Sequence, residues 1–264
     1  MKKIAINGFG RIGRNFFKQS LEYKDDIRVV AVNDLGDVDN LAYLLKYDSV
    51  YRRFGEEHAV EVKQEDGKNF IVVDGQEILV TSEREPKNLP WGELGIDIVV
   101  ESTGFFVTQE AASGHIEAGA KRVVISAPAK DDVTPQVTPG LAHDKLKDSV
   151  VTSNASCTTN GTNPVMAVMN ETLGVTKAML TTVHAYTASQ SIVDGMAKKD
   201  LRAGRAGAMN LVPTSTGAAK AVGKVIPELN GIFDGVAVRV PVVSGSIIDI
   251  TFVAGRKTTV EEVN

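Results

Sequence analysis

Cysteine occurs once in these 264 residues, at position 157. A single thiol excludes an internal disulfide framework and fits a reducing compartment, so the expected location is cytoplasmic. Long apolar runs are missing too. The start, Met1-Lys2-Lys3-Ile4-Ala5-Ile6-Asn7, reads as a first strand rather than a signal peptide, and no stretch approaches transmembrane length. There is no excess of positive charge: 29 Lys+Arg against 33 Asp+Glu give a formal net charge of −4. Neither nucleic acid nor an anionic membrane is therefore an expected partner. Internal repeats, low-complexity tracts and Ser/Pro-rich linkers are also absent. What remains is 43% hydrophobic with 24 glycines, enough for one large or two modest domains with real cores.

The first half alternates strand and helix patterns. Ile4-Ala5-Ile6-Asn7 reads as a strand, and Gly8-Phe9-Gly10-Arg11-Ile12-Gly13 opens a helix through about Leu21. Val29 to Asp34 supplies a second strand, and Asp34 falls 21 residues after Gly13 (34 − 13). Strand, glycine-rich turn, helix and a late carboxylate form a dinucleotide-binding pattern. The glycines let the backbone approach a pyrophosphate at the helix N-terminus, and the carboxylate accepts from ribose hydroxyls. Helical spacing recurs over 37–48, then residues 59 to 81 alternate as short strands broken by Asp66-Gly67 and Asp74-Gly75. Strands over 97–101 and 122–126 flank a helix over 108–119. The expectation is a mostly parallel, doubly wound sheet over residues 1–152.

From Ser153 the character changes to longer strands (176–184, 235–241 and 247–254) with helical patterns between them, an α+β domain over 153–264. The run Ser153-Asn154-Ala155-Ser156-Cys157-Thr158-Thr159-Asn160 precedes a helical pattern (Val165, Met166, Val168, Met169, Leu173). Cys157 is thus expected at a helix N-terminus, where N–H groups and the positive dipole end stabilise a thiolate and an oxyanion. His184 follows 27 residues later (184 − 157), ending a strand-like run in Thr181-Thr182-Val183-His184-Ala185-Tyr186-Thr187. It is the candidate base. From the residues alone, an inert buried thiol and a satisfied structural histidine stay open.

SNASCTTN and TTVHAYT closely resemble the active-site motifs of phosphorylating glyceraldehyde-3-phosphate dehydrogenases, and INGFGRIGR, Pro213–Lys220 and Ala237–Pro241 resemble further blocks of that family. The resemblance implies catalysis by Cys157 and His184. It implies that Thr187 and Arg239 hold the phosphate of glyceraldehyde 3-phosphate, and that Ser156, Thr158, Thr216 and Gly217 hold inorganic phosphate. Taken singly, each Ser or Thr reads first as a helix cap or a solvated hydroxyl. NAD is the implied cofactor, held by Gly8, Phe9, Gly10, Arg11, Ile12, Gly13 and Asp34. Arg84 would lie near the adenine, where a solvated surface arginine is the alternative, and Thr103 and Ser126 would lie near the nicotinamide. No metal is implied. Residues 187–210, with Lys198, Lys199, Arg202 and Arg205, resemble the family's S-shaped loop, and a homotetramer is implied for the full-length enzyme.

Three departures stand out. Gly161 occupies a place where many relatives carry a second cysteine, and Met196 stands where NAD-specific relatives commonly carry proline. The chain also stops at Asn264 where family members continue, so the α+β domain is expected to be incomplete at its C-terminus. The implied reaction is oxidative phosphorylation of glyceraldehyde 3-phosphate through a cysteine thioester. The alternatives are erythrose-4-phosphate oxidation or a non-catalytic NAD-binding fragment.

Overall fold

The computed structural model describes residues 1–197 and 200–264. The chain divides into two compact units, Met1–Pro135 with Asp144–Asn154, and Gln136–His143 with Ala155–Asn264.

The first unit is built on an eight-stranded sheet. Its strands are β1 (Lys2–Asn7), β2 (Ile27–Asn33), β3 (Val60–Glu65), β4 (Lys68–Val73), β5 (Gln76–Thr81), β6 (Ile98–Glu101), β7 (Arg122–Ile125) and β8 (Val151–Ser153), in the order β3-β4-β5-β2-β1-β6-β7-β8. From β5 to β8 every pairing is parallel, while β3–β4 and β4–β5 are antiparallel hairpins. Both hairpin turns are Asp-Gly with positive φ at each residue: 51° and 73° at Asp66-Gly67, 50° and 81° at Asp74-Gly75. That backbone matches the strand twist, which is why these dipeptides close two-residue loops.

Alternation along the strands sorts side chains onto two cores. Ile4 and Ile6 of β1 join Phe17, Leu41 and Leu45 from helices α1 (Arg11–Ser20) and α2 (Val38–Lys46) on one face. Ala5 between them joins Trp91, Val99, Ala112 and Val123 on the other, with α3 (Trp91–Leu94) and α4 (Gln109–Glu117). Helices on both faces of a parallel sheet make this the Rossmann-type doubly wound arrangement expected. Asp37 and Thr108 cap α2 and α4 with side-chain hydrogen bonds to first-turn N–H groups.

The second unit holds a four-stranded sheet ordered β10 (Val212–Ser215), β11 (Phe233–Val240), β9 (Val175–Ala185) and β12 (Ser246–Ala254). β11 runs parallel to β9, and the other pairings are antiparallel. Helices α5 (Cys157–Leu173) and α6 (Ala218–Val225) bury Met166, Ala218 and Val222 against Leu180 and Phe233 of this sheet. A short α7 (Val260–Val263) follows. The sequence pattern does not announce β10, because Pro213 and its hydroxyl neighbours hide it. Of the helical pattern expected after Cys157, Met166 and Leu173 are buried, whereas Val165 and Val168 face solvent.

Candidate active site

In the second unit Cys157 is the first residue of α5 and is exposed. Ser156 caps the helix: its Oγ accepts from Thr159 N at 3.1 Å. Cys157 N–H and Thr158 N–H belong to the first turn, which has no intrahelical acceptors, so they remain able to hold an anion. Ala155, two residues ahead of the thiol, takes a left-handed φ of 56°, a conformation costing a non-glycine residue on the order of 1 kcal/mol.

His184 lies near the end of β9, with Nε2 3.2 Å from Cys157 Sγ. Strand register places Arg239 of β11 beside it, and the Arg239 Nη1 donor lies 2.6 Å from His184 Nδ1 and 3.1 Å from the Ala185 carbonyl. Both acceptors surround one guanidinium nitrogen. Arginine only donates, so Nδ1 must accept, and the neutral imidazole then carries its proton on Nε2, facing the sulfur. The 2.8 Å approach of Nδ1 to the Ala185 carbonyl is, in this tautomer, two acceptors sharing Arg239. Burial pushes the Arg239 guanidinium below its ordinary value, and the Cys157 charge opposes that shift.

The other expected anion-site residues fall into smaller groups. Thr187 Oγ1 is 2.8 Å from Ser189 Oγ just after β9. Thr216 Oγ1 accepts from Ala218 N at 3.1 Å, and Gly217 is the N-cap of α6, with no side-chain cap of its own. Thr158 is buried and its carbonyl accepts from Thr162 Oγ1 at 2.7 Å. In the 187–210 segment, Arg202 pairs with Asp200 at 2.9 Å and Arg205 with Asp194 at 2.7 Å. These pairs offset its basic character. Lys198 and Lys199 lie outside the described residues.

The first unit carries a cleft of about 520 Å³ lined by Gly8, Gly10, Asp34, Arg84 and Thr103, together with Asn7, Asn33, Leu35, Glu83, Ser102, Phe105 and Phe106. Gly8 has φ 90°, and a Cβ there would come within 2.7 Å of Thr103 N. Gly10 caps α1 without a side-chain bond, and nothing lies within 4 Å of where its Cβ would project. The α1 N-terminus is therefore bare. Asp34 accepts from Phe9 N at 2.7 Å and Gly36 N at 2.9 Å, one bond per oxygen, leaving lone pairs for further donors. These residues fit a dinucleotide: a bare helix end for pyrophosphate and a fixed carboxylate for ribose.

Not every expected contact lines the cleft. Phe9 turns its side chain into the core, and Gly13 is buried, where a Cβ would overlap the Gly8 carbonyl. Ile12 is exposed, and Arg11 bonds Asp48 at 2.7 Å. Ser126 donates its backbone N–H to the Glu101 carbonyl at 2.9 Å and does not line the cleft. Ser102, Phe105 and Phe106 lie in the loop past the carboxyl end of the 97–101 strand, where the sequence pattern places a second cofactor-side loop. Glu83 lies in the Arg84 segment, whereas Leu35 carries no sequence signal beyond its place next to Asp34.

Among the described residues no helix is long and apolar enough to cross a membrane. Residues 2–109 match the family described as "Glyceraldehyde 3-phosphate dehydrogenase, NAD binding domain", and residues 156–264 match its C-terminal domain. A glyceraldehyde-3-phosphate dehydrogenase of Bacteroides fragilis is 50% identical over 265 residues, covering 100% of this chain and 78% of the relative. That of Geobacillus stearothermophilus is 52% identical over 265 residues, covering 99% and 76%. Glyceraldehyde-3-phosphate dehydrogenase A of Escherichia coli is 49% identical over 261 residues, again covering 99% and 76%. Identity of about half over nearly the whole chain, with both family domains in order, places this protein in the glyceraldehyde-3-phosphate dehydrogenase family.

Proposed function

We propose that this chain is an NAD-dependent dehydrogenase that converts glyceraldehyde 3-phosphate and inorganic phosphate to 1,3-bisphosphoglycerate through a thioester on Cys157. The observation that carries the reading is the 3.2 Å approach of His184 Nε2 to Cys157 Sγ at the N-terminus of α5. In division of labour, residues 1–152 bind NAD and residues 153–264 carry the covalent chemistry.

In the tautomer that Arg239 selects, Nε2 is already protonated, so His184 is a donor to the sulfur and not the base expected from the sequence. The thiol proton leaves to solvent, and the thiolate is held by the helix end, the Nε2–H of His184 and the nearby Arg239 charge. It adds to the aldehyde carbon, forming a C–S bond while the carbonyl π pair moves onto oxygen. Cys157 N–H and His184 Nε2–H donate to that oxyanion, and a single such donor is worth roughly 10²–10³ in rate. NAD, when bound, supplies the acceptor for the hydride that departs as the oxyanion re-forms its carbonyl. The product is a thioester on Sγ. Inorganic phosphate held by Ser156, Thr158, Thr216 and Gly217 attacks this carbonyl and expels the thiolate, giving the acyl phosphate. Thr187 and Arg239 bind the substrate's own phosphate, Arg239 as a planar donor matched to its oxygens.

The chain is assigned to the cytoplasm and, when full length, to a homotetramer. The second reading rests on the outward face of the four-stranded sheet, where Met179, Val183, Val236, Ile247 and Val253 are 37–71% exposed. Such a face fits burial against another copy.

Cys157→Ser tests the catalytic reading. It is expected to lower kcat for aldehyde oxidation below about a hundredth of the parent value while leaving NAD affinity nearly unchanged. Retention of kcat above that level would exclude covalent catalysis by this residue.

A further inference from the structure

A line of buried polar side chains runs beneath the dinucleotide cleft of the first unit, and the chemistry described above leaves it unused. Glu101, at the end of β6, is 1% exposed, and no lysine or arginine bonds it among the described residues. Four donors replace a counter-cation. Oε2 accepts from Asn7 Nδ2 at 2.5 Å and faces His115 Nε2 at 3.1 Å. Oε1 accepts from both the backbone N–H of Thr103, at 2.8 Å, and its hydroxyl. Trp91 Nε1 donates to His115 Nδ1 at 3.0 Å, and since indole only donates, the His115 proton resides on Nε2, pointing at the carboxylate.

The line continues across the sheet. Asn7 Oδ1 accepts from Asn33 Nδ2 at 2.7 Å. Asn33 in turn clamps Glu83 at both backbone groups, donating to its carbonyl at 2.9 Å and accepting from its N–H at 2.8 Å. Asn7 and Asn33 are 1% and 4% exposed. Thus Thr103 on one wall of the cleft and Glu83, next to Arg84, on the other hang from one connected set of bonds. Phe105 N also donates to Thr103 Oγ1, at 3.1 Å, so the same anchor extends along the exposed 103–105 loop.

We propose that Glu101 is a positioning residue for the cofactor. Its carboxylate pins the Thr103–Phe105 loop against Gly8 and, through Asn7 and Asn33, sets the Glu83–Arg84 loop opposite, so the cleft walls are fixed before NAD enters. A buried carboxylate is costly, and its retention is explained by charge-assisted bonds that hold a loop more firmly than neutral ones. Preorganised walls avoid ordering the loop on binding, which is where affinity is gained. The proposal rests on the reading of this cleft as the NAD site.

The test is titration calorimetry with NAD on the whole chain, alongside amide hydrogen exchange of residues 103–106. Glu101→Gln places an amide among donors that need an acceptor. It should weaken NAD binding about tenfold, the scale of one lost charge-assisted bond, and accelerate exchange in the loop. Thr103→Val should weaken binding several-fold, while Thr103→Ser, which keeps the hydroxyl, should stay within about twofold. Because Glu101 acts through Thr103, the Glu101→Gln/Thr103→Val double variant should bind about as well as Glu101→Gln alone. Folded Glu101→Gln with unchanged NAD affinity, or additive effects in the double variant, overturns the proposal. Should Glu101→Gln fail to fold, equal affinity in the Val and Ser variants overturns it. Failure of the unsubstituted chain to bind NAD would instead remove the reading of the cleft.

Discussion

The Arg239 guanidinium lies 2.6 Å from Nδ1 of His184, the ring nitrogen opposite the one that faces Cys157. One residue thereby does two things: it selects the tautomer of the imidazole facing Cys157 and, in the proposed function, offers a cation for the substrate phosphate. Arg239→Lys keeps the charge but loses the planar fork, so KM for the phosphorylated aldehyde should rise about tenfold or more. Nitrogen NMR of the His184 ring should show an unprotonated Nδ1 in the parent. In Arg239→Ala, Nδ1 is free to donate to the Ala185 carbonyl, and the tautomer should reverse. A protonated Nδ1 in the ligand-free parent would contradict this arrangement.

Cofactor choice follows from Asp34. Its oxygens each hold one backbone N–H, fixing a carboxylate that, in the proposed NAD site, would accept from ribose hydroxyls and repel a 2′-phosphate. Asp34→Ala should raise KM for NAD by about tenfold and narrow the preference over NADP, with kcat for NAD much less affected. Met196, fully exposed at 101% relative accessibility, adds no opposing charge. A parent kcat/KM higher with NADP than with NAD would contradict the role given to Asp34.

The parts legible in the sequence are those governed by local chemistry. Asp66-Gly67 and Asp74-Gly75 specify tight hairpins because few other dipeptides accept two positive φ angles. Gly8 and Gly10 mark a turn and a bare helix end, and the Ser156-Cys157 pair marks the start of α5. What stayed hidden depends on long-range pairing. β10 contains Pro213, which argues against a strand until β11 is beside it. Gln136–His143 belongs to the second unit although it precedes β8, and nothing in its local pattern says so. The contact of Arg239 with His184 follows from strand register across 55 residues. Asn7, Asn33 and Glu101 look like ordinary polar strand ends until their partners come together.

Gly161 is explained by packing. A Cβ there would come within 2.8 Å of Ile248 Cδ1 on β12. Alanine in a helix interior is favoured over glycine by about 0.5–1 kcal/mol, but here the isoleucine must move. Gly161→Ala is therefore expected close to neutral in the parent. In an Ile248→Val background, where the obstructing methyl is gone, it should stabilise by about 0.5–1 kcal/mol. Denaturant unfolding measures both. The same effect in each background would show that the contact does not limit this position.

Acid stability has a local contribution at Asp97. Hydrogen bonds from Lys121 Nζ and Lys3 N hold its carboxyl down from 3.8 to about 2. The unfolded chain binds a proton more readily, so this stabilisation is complete above 3.8 and is lost as the pH falls towards 2. Asp97→Asn should lower the melting temperature at neutral pH, and the gap to the parent should close over that interval. A gap that stays constant with pH would rule out a titrating contribution.

The central claim is that oxidation passes through an acyl group on Cys157. Its most direct test is a single-turnover reaction with NAD and glyceraldehyde 3-phosphate in the absence of inorganic phosphate, quenched in acid and read by peptide mass spectrometry. The account predicts a burst of NADH stoichiometric with active subunits, and a 3-phosphoglyceryl adduct on the Cys157 peptide that disappears when phosphate is added before the quench. NADH formed without any adduct on Cys157, or an adduct on another residue, would contradict it.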